Sequence, residues 1–259
     1  MISAVFLIIA GFFAGIVTGL VGASAAVIVT PMLVAFLDYP AFTAIGISLA
    51  TDVFASSTSA LNYYRYKHID LKNGIILTVM AVFGAFLGSI LSSHMPDSLL
   101  GRGAGIAILI MGVNFIRKPI NERLKEFREH HDLHVFKRNK TLSSIFFGLL
   151  IGVICGFIGA GGGIMILIIL TFILGYEVKT AIGTSVLIMT FIALSGAIGH
   201  FIHTGTPLPE ILITGTASII GAATASKFAN KTTDEKLSKT IGITFIALAI
   251  IMMMKKFMG

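Results

Sequence analysis

Apolar residues in this chain come in long unbroken stretches, and polar ones are crowded into the gaps between them. Four stretches, 1–37, 42–64, 71–93 and 99–116, precede a segment rich in Lys, Arg and Glu. Four more, 141–174, 178–202, 211–228 and 237–254, follow it. About 20 consecutive apolar residues cross a bilayer as a helix, and in lipid every backbone polar group must be satisfied within its own segment. The pattern predicts an all-α polytopic membrane protein.

The opening stretch of each half is too long for one span. As a single helix, 37 residues would reach roughly 55 Å against a hydrocarbon core of about 30 Å. Glycines interrupt both: Gly15, Gly19 and Gly22 in the first, then Gly152, Gly156, Gly159 and Gly161–Gly163 in the second. Each opening stretch is predicted to be two short segments hinged at glycine, a re-entrant hairpin or two thin spans, returning the chain to the side it came from. Each half then has a broken hairpin and three further helices, eight full spans or up to ten segments in all.

The halves are related by a constant offset of 137 residues. Gly15, Gly19, Gly22 and Ala23 fall on Gly152, Gly156, Gly159 and Ala160; Thr43–Gly46 falls on Thr180–Gly183, and Ser48 on Ser185. Tyr39 meets Tyr176, and Gly84-Ala85 meets Gly221-Ala222. Such an internal repeat is how many transporters are built. It divides the chain into a membrane repeat (1–116), a basic linker (117–140) and a second membrane repeat (141–259).

Charge then orients the repeats. Lys and Arg follow the second stretch in the first half (Arg65, Lys67, Lys72) but the third stretch in the second half (Lys227, Lys231, Lys236, Lys239). Placing all of these and the linker in the cytoplasm, as the positive-inside rule expects of an inner-membrane protein, requires inverted repeats. Lys255 and Lys256 alone would end outside.

Composition narrows the functional class. Of 259 residues, 56% are hydrophobic and only 12% charged, where a soluble domain is about a quarter charged. That excludes disorder and nearly every soluble enzyme fold. The net charge of +7 sits in loops, so it reads as topology rather than as a nucleic-acid surface. Cys155 is the single cysteine, so no disulfide is available. No basic n-region precedes the first stretch, so no cleavable signal peptide is expected. With no tryptophan, interfacial anchoring falls to five tyrosines with Lys and Arg. His130, His131 and His134 lie in the linker; without a cysteine or paired carboxylate at that spacing they read as a solvated loop rather than a metal site. No metal or cofactor is expected.

The breaks, Gly22-Ala23-Ser24-Ala25-Ala26 and Gly159-Ala160-Gly161-Gly162-Gly163, are where a ligand would sit. A helix starting after each offers unbonded N–H groups and a positive dipole end, hence an anion site, and missing side chains let a ligand approach the backbone. The competing reading is that glycines merely let helices pack closely. That reading suits Gly11, Gly15, Gly19, Gly148 and Gly152, spaced by four, better than the consecutive Gly161–Gly163, each of which weakens a helix by about 1 kcal/mol relative to alanine.

Hydroxyls line the second stretch of each half, and the repeat mates Ser48 and Ser185 would face one another across a pseudo-two-fold. Such hydroxyls are otherwise satisfied by their own backbone or a neighbouring helix. Asp52 is the one acid deep in an apolar stretch, where burying charge costs about 2.5–3.5 kcal/mol on insertion scales. It is a candidate proton carrier, or else a neutral carboxyl in a structural hydrogen bond; its mate is Met189. His200, Asn62 and Tyr63, near the far ends of these stretches, read equally well as interfacial.

The paired glycine runs (Gly15–Ser24, Gly152–Gly161), Pro31 after the first break, the Ala-Ile-Gly-x-Ser segments (Ala44–Ser48, Ala181–Ser185) and the basic loop between halves make the chain resemble the sulfite exporter TauE/SafE family of membrane transporters. The resemblance covers nearly the whole chain. It implies secondary transport of small sulfur-containing or organic anions such as sulfite, sulfonates or sulfoacetate. Two departures make the half-sites less symmetric: the first break carries Ala-Ser-Ala-Ala where the family tends to have glycines, and Ile168 replaces the proline after the second.

The expectation is a secondary anion transporter holding its substrate between Gly22, Ala23, Ser24, Ser48, Gly159, Gly161, Gly162, Gly163 and Ser185, with Asp52 as the ion-coupling group. Its partners are then a small anion and the lipid bilayer, with no nucleic acid; a homo-oligomer is open. The alternatives are an anion channel, which would want rings of like residues along a path, and a cation- or proton-coupled antiporter motivated by Asp52. An enzyme is not expected, since no GxSxG, Walker A or intramembrane ligand set occurs.

Overall fold

A computed structural model describes residues 2–70, 74–101, 139–159 and 162–232. The described residues form eight full helices and no strand: α1 (Ile2–Val21), α2 (Ala26–Leu37), α3 (Ala41–Arg65), α4 (Ile75–Ser93), α5 (Lys140–Ile158), α6 (Gly162–Phe172), α7 (Val178–Thr204) and α8 (Leu208–Lys231). Six of them, all but α2 and α6, are long and apolar enough to cross a membrane. Residues 97–101 begin a further helix; the remainder of the stretch 99–116, the stretch 237–254 and the linker histidines lie outside the described residues.

Each opening stretch does break at glycine, but into unequal arms. The first arm, α1, has 20 residues, about 30 Å and hence a full span, whereas α2 has 12, about 18 Å. In the second half the arms are 19 and 11 residues. The expectation of two short segments is corrected in this respect. The cause lies in where the turn residue stands. Gly22 and Gly159 take φ of 71° and 77°, a left-handed conformation that costs glycine little. Their N–H groups bond the carbonyls of Thr18 (2.9 Å) and Cys155 (2.7 Å), which closes the last turn and ends the helix. The earlier glycines interrupt nothing.

Those earlier glycines are packing surfaces. A Cβ on Gly11, Gly15 or Gly19 would strike the backbone of Thr214, Ser218 or Ala222 on α8. A Cβ on Gly148, Gly152 or Gly156 would strike Leu77, Ala81 or Ala85 on α4. Each of these contacts recurs 137 positions along in both partners. Small residues let two backbones touch, and in lipid that close packing is a main source of helix association.

The long helices α3 and α7 form the centre and run antiparallel. Gly46 packs on His200, Leu49 on Gly196 and Tyr63 on Gly183, and Thr190 donates to Ser56 at 3.0 Å. By contrast α8 runs parallel to α3, joined by Thr51 to Thr214 (2.7 Å) and Asn62 to Ser226 (2.8 Å). These directions place Arg65, Lys67, Lys179, Lys227 and Lys231 at one end of the bundle, together with Asp70 and Glu177. Asp38, Asp97 and Glu210 lie at the other. Large apolar side chains such as Val79, Phe83, Phe146, Leu212 and Ile220 face outward, as a lipid-facing surface requires.

Candidate functional site

The two breaks meet. The Ser24 hydroxyl donates to the Gly159 carbonyl at 2.9 Å, across 135 residues of chain, and accepts the Ala26 N–H at 3.3 Å. Gly163 lies so close to the Gly22 carbonyl and to Ala23 that no side chain fits there. Every residue from Val17 to Thr30 is buried, so the described residues place the meeting point inside the bundle. Both short helices point their first turns into it. Gly162 and Gly163 belong to the first turn of α6 rather than to the loop before it, and Gly161 lies outside the described residues.

The serine mates do not bond each other. Ser48 donates to its own Ala44 carbonyl at 2.7 Å. With its single proton so used, it accepts from the Thr30 hydroxyl of α2 at 2.8 Å. Ser185 donates to the Ile182 carbonyl at 2.9 Å, and its Oγ is the nearest atom to where a Cβ on Gly22 would stand. Each serine thus flanks a break-linked segment. Thr30 carries no sequence signal of its own, being one hydroxyl in an apolar helix.

Asp52 is fully buried and lies near Ser24 and Ala25, the two residues before α2. Neither carboxyl oxygen completes a hydrogen bond of ordinary geometry. Cys155, buried on α5, lies against Gly162 at the start of α6. A Cβ on Gly162 would meet the Cys155 and Met189 sulfurs at 3.0 and 3.2 Å. The repeat mates Asp52 and Met189 therefore attend the starts of α2 and α6 respectively. The sequence singled out Asp52 but not its sulfur-bearing neighbours.

His200, Asn62 and Tyr63, open to an interfacial reading from sequence, are buried. Tyr63 donates to the Gly19 carbonyl at 3.2 Å, His200 Nε2 to that of Gly156 at 2.9 Å, and Asn62 to Ser226. Tyr63 and His200 brace the ends of α1 and α5, and Asn62 ties α3 to α8. Outside the spans, Tyr39 donates to Glu210 at 2.6 Å; that hydrogen bond, then burial and the carboxylate charge, push its phenol up to about 12.

A cavity of about 640 Å³ opens on the flank between α4 and α7. Its wall is mostly apolar (Val79, Leu187, Phe191, Ile198), with scattered hydroxyls from Thr78 and Ser195. It offers no converging donors for an anion, and several of its side chains belong to the lipid-facing surface. Among the described residues no group of three His, Cys, Asp or Glu is placed to hold a metal ion.

The profile of the family described as sulfite exporter TauE/SafE matches residues 7–252. Among similar curated proteins, the probable membrane transporter protein YdhB of Bacillus subtilis is 28% identical over 92% of this chain and 95% of its own length. The probable membrane transporter protein YunE of the same organism is 25% identical, over 89% and 91% of the two chains. The probable membrane transporter protein ORF9 of Sinorhizobium is 26% identical, over 95% and 90%. No solved structure matches the chain.

Proposed function

The chain belongs to the sulfite exporter TauE/SafE family, and from that premise we propose that it is a secondary transporter of small anions, sulfur-containing or organic, such as sulfite, a sulfonate or sulfoacetate. It is a multi-pass membrane protein. The observation that carries the reading is the meeting of the two breaks, Ser24 on Gly159 and Gly22 on Gly163, with two helix starts converging on one buried point. A partly buried helix start is worth up to about 2 kcal/mol to an anion. Two of them hold a small oxyanion at modest affinity without a buried arginine, which a carrier that must also release its cargo needs.

In this reading the substrate contacts Gly22, Ala23, Ser24, Gly159, Gly162 and Gly163, with Ser48 and Ser185 flanking, and Asp52 is the coupling group. The halves act as inverted repeats that rock about the buried centre to expose it alternately. The antiparallel crossing of α3 and α7 and the contacts repeated at 137 residues support this. The cationic end of the bundle is the cytoplasmic one, of an inner membrane. Asp52 also keeps a cation-coupled antiporter in view, since a lone buried carboxylate is a cation ligand too.

The test is flux into proteoliposomes, comparing sulfite, sulfoacetate, sulfate and chloride with and without a pH gradient. Selective movement of the sulfur anions is the expected outcome. Cation movement with no anion flux would overturn the anion reading and make Asp52 the centre of a cation site.

A further inference from the structure

The cavity between α4 and α7 has one polar end and a hydrocarbon wall. The two helices run parallel: Gly74 faces Thr184 and Ile188, Ser195 donates to the Val82 carbonyl at 2.9 Å, and Ser89 meets Gly199. The lining extends from Asp70, Gly74 and Thr184 to Val82 and Ile198, so it begins at the end of the bundle that carries Arg65, Lys67 and Lys179. From there it runs inward about 12 Å along α4 and about 21 Å along α7. One leaflet supplies about 15 Å of the hydrocarbon core, so the cavity is about as long as one leaflet is deep. Its hydroxyls already have partners. Thr78 donates to the Gly74 carbonyl at 2.8 Å, Ser195 to Val82, and the Thr184 hydroxyl accepts the Asp70 N–H at 3.0 Å. What remains is apolar, and Ile75, Val79, Leu194 and Ile198 continue it onto the lipid-facing surface.

The matching flank of the other repeat is closed. Phe54 on α3 and Gly215 on α8 stand 137 residues from Phe191 and Thr78. A Cβ on Gly215 would lie 2.6 Å from the Phe54 ring, so that ring fills the space between α3 and α8. Thr78 carries a side chain where Gly215 has none, and Phe191 lines the cavity instead of filling it. Because α3 and α7 are antiparallel, the closed flank belongs to the opposite end of the bundle. The open one, at about 640 Å³, is within the range of roughly 300–1,000 Å³ that holds one small molecule. An empty hydrocarbon wall forfeits dispersion contacts along its lining. In a bilayer the molecules at hand to restore them are lipid chains.

We propose that this cavity is the seat of one phospholipid from the leaflet at the cationic end, with an acyl chain laid between α4 and α7. Its phosphate then lies at the level of the Lys and Arg residues of that end, which attract it. The length of the cavity, its apolar wall and its continuity with the lipid-facing surface all fit that molecule, whereas a hydrated anion finds no donor there. The seat is separate from the meeting point of the two breaks and does not depend on which ion the protein carries.

The chain has no tryptophan, so a single introduced one reports on its own surroundings. Leu194→Trp puts it in the cavity wall; Phe83→Trp puts it at an outward-facing position of α4 that does not line the cavity. Each full-length variant, purified in detergent, is titrated with phosphatidylglycerol bearing brominated acyl chains, whose bromines quench indole fluorescence on contact. Quenching of Leu194→Trp should saturate near one lipid per chain, as a single site requires. Quenching of Phe83→Trp should only follow the lipid content of the micelle. Two further changes are made on the Leu194→Trp protein. Thr78→Phe fills the cavity with bulk, and Thr78→Gly gives Phe191 the bare partner that Phe54 has in Gly215. Either should remove most of the saturable quenching in a protein that still elutes as a folded species, and since one adds volume and the other removes it, each stands in for the other if one fails to fold. Equal, non-saturating quenching at both tryptophans would overturn the proposal and leave an ordinary lipid boundary. An unquenched Leu194→Trp would also overturn it: a dimer would show a second copy over the cavity, a monomer that the chain itself covers it. So would saturable quenching that persists in folded Thr78→Phe, because the lipid would then sit elsewhere.

Discussion

Tyr63 and His200 stand 137 positions apart and do the same work with different chemistry. Tyr63 reaches the carbonyl of Gly19 at 3.2 Å, and His200 that of Gly156 at 2.9 Å; the two glycines are themselves 137 apart. In each half a side chain from the central helix thereby pins the last turn before the left-handed glycine. The break is held open from outside as well as by its own turn geometry.

Because the contact recurs with either residue, His200→Tyr should be tolerated better than His200→Phe. The phenylalanine leaves the Gly156 carbonyl without its buried donor, a loss of about 1–3 kcal/mol, while keeping an aromatic ring against Phe42. Thermal unfolding in detergent should rank wild type and His200→Tyr above His200→Phe. A His200→Phe protein as stable as wild type would show that stacking, not the hydrogen bond, is what counts.

Ser48 and Thr30 offer a pairwise test. Removing Ser48 alone frees the Thr30 hydroxyl inside a buried helix contact, and removing Thr30 alone leaves Ser48 its bond to Ala44. Ser48→Ala should therefore destabilise and slow transport more than Thr30→Ala does. The double variant should be little worse than Ser48→Ala alone, with a coupling of about 0.5–1.5 kcal/mol. Strict additivity in melting and flux would place the two hydroxyls out of contact.

Much of this was legible in the sequence because lipid leaves the chain few options. Apolar runs of span length and the offset between glycine motifs need no tertiary information, so the helices and the pairing of the two breaks could be read directly. The arm lengths could not, since Gly15 and Gly22 look alike as letters. Only contact with Ser218 in one case and a φ of 71° in the other separates a packing glycine from a turn. Asp52 announced itself as a charge among apolar residues. Cys155 and Met189 did not, because each is an ordinary apolar residue until the fold sets it against Gly162.

The Tyr39–Glu210 bond ties the loop between α2 and α3 to the first turn of α8. Folding raises the Tyr39 phenol from 10.0 to about 12, so the neutral form is the one the fold prefers. The stability it contributes is fully present below about pH 10 and is lost as pH rises through about 12. Tyr39→Phe should melt lower than wild type near neutrality, and the gap should narrow as the medium becomes alkaline. A gap that does not change with pH would show that the phenol's proton is not what holds the loop.

Gly162 and Gly163 are neighbours in sequence, yet a methyl group has different consequences at each. At Gly162 it would meet the Cys155 and Met189 sulfurs at 3.0 and 3.2 Å, the thioether end of a flexible side chain among them, so Gly162→Ala can be absorbed by small shifts and should leave a folded protein. Transport should fall nonetheless, because the methyl covers an amide at the start of α6; Gly162→Leu, which fills the approach, should abolish it. At Gly163 the methyl would strike the Gly22 carbonyl, and backbone has nowhere to go without parting the two breaks. Gly163→Ala should therefore lower the melting temperature as well as the flux, by the 1–3 kcal/mol or so typical of overpacking. Size-exclusion profiles, melting curves and sulfite flux on the three variants separate the cases. A Gly162→Leu protein that folds and transports normally would remove the start of α6 from the site.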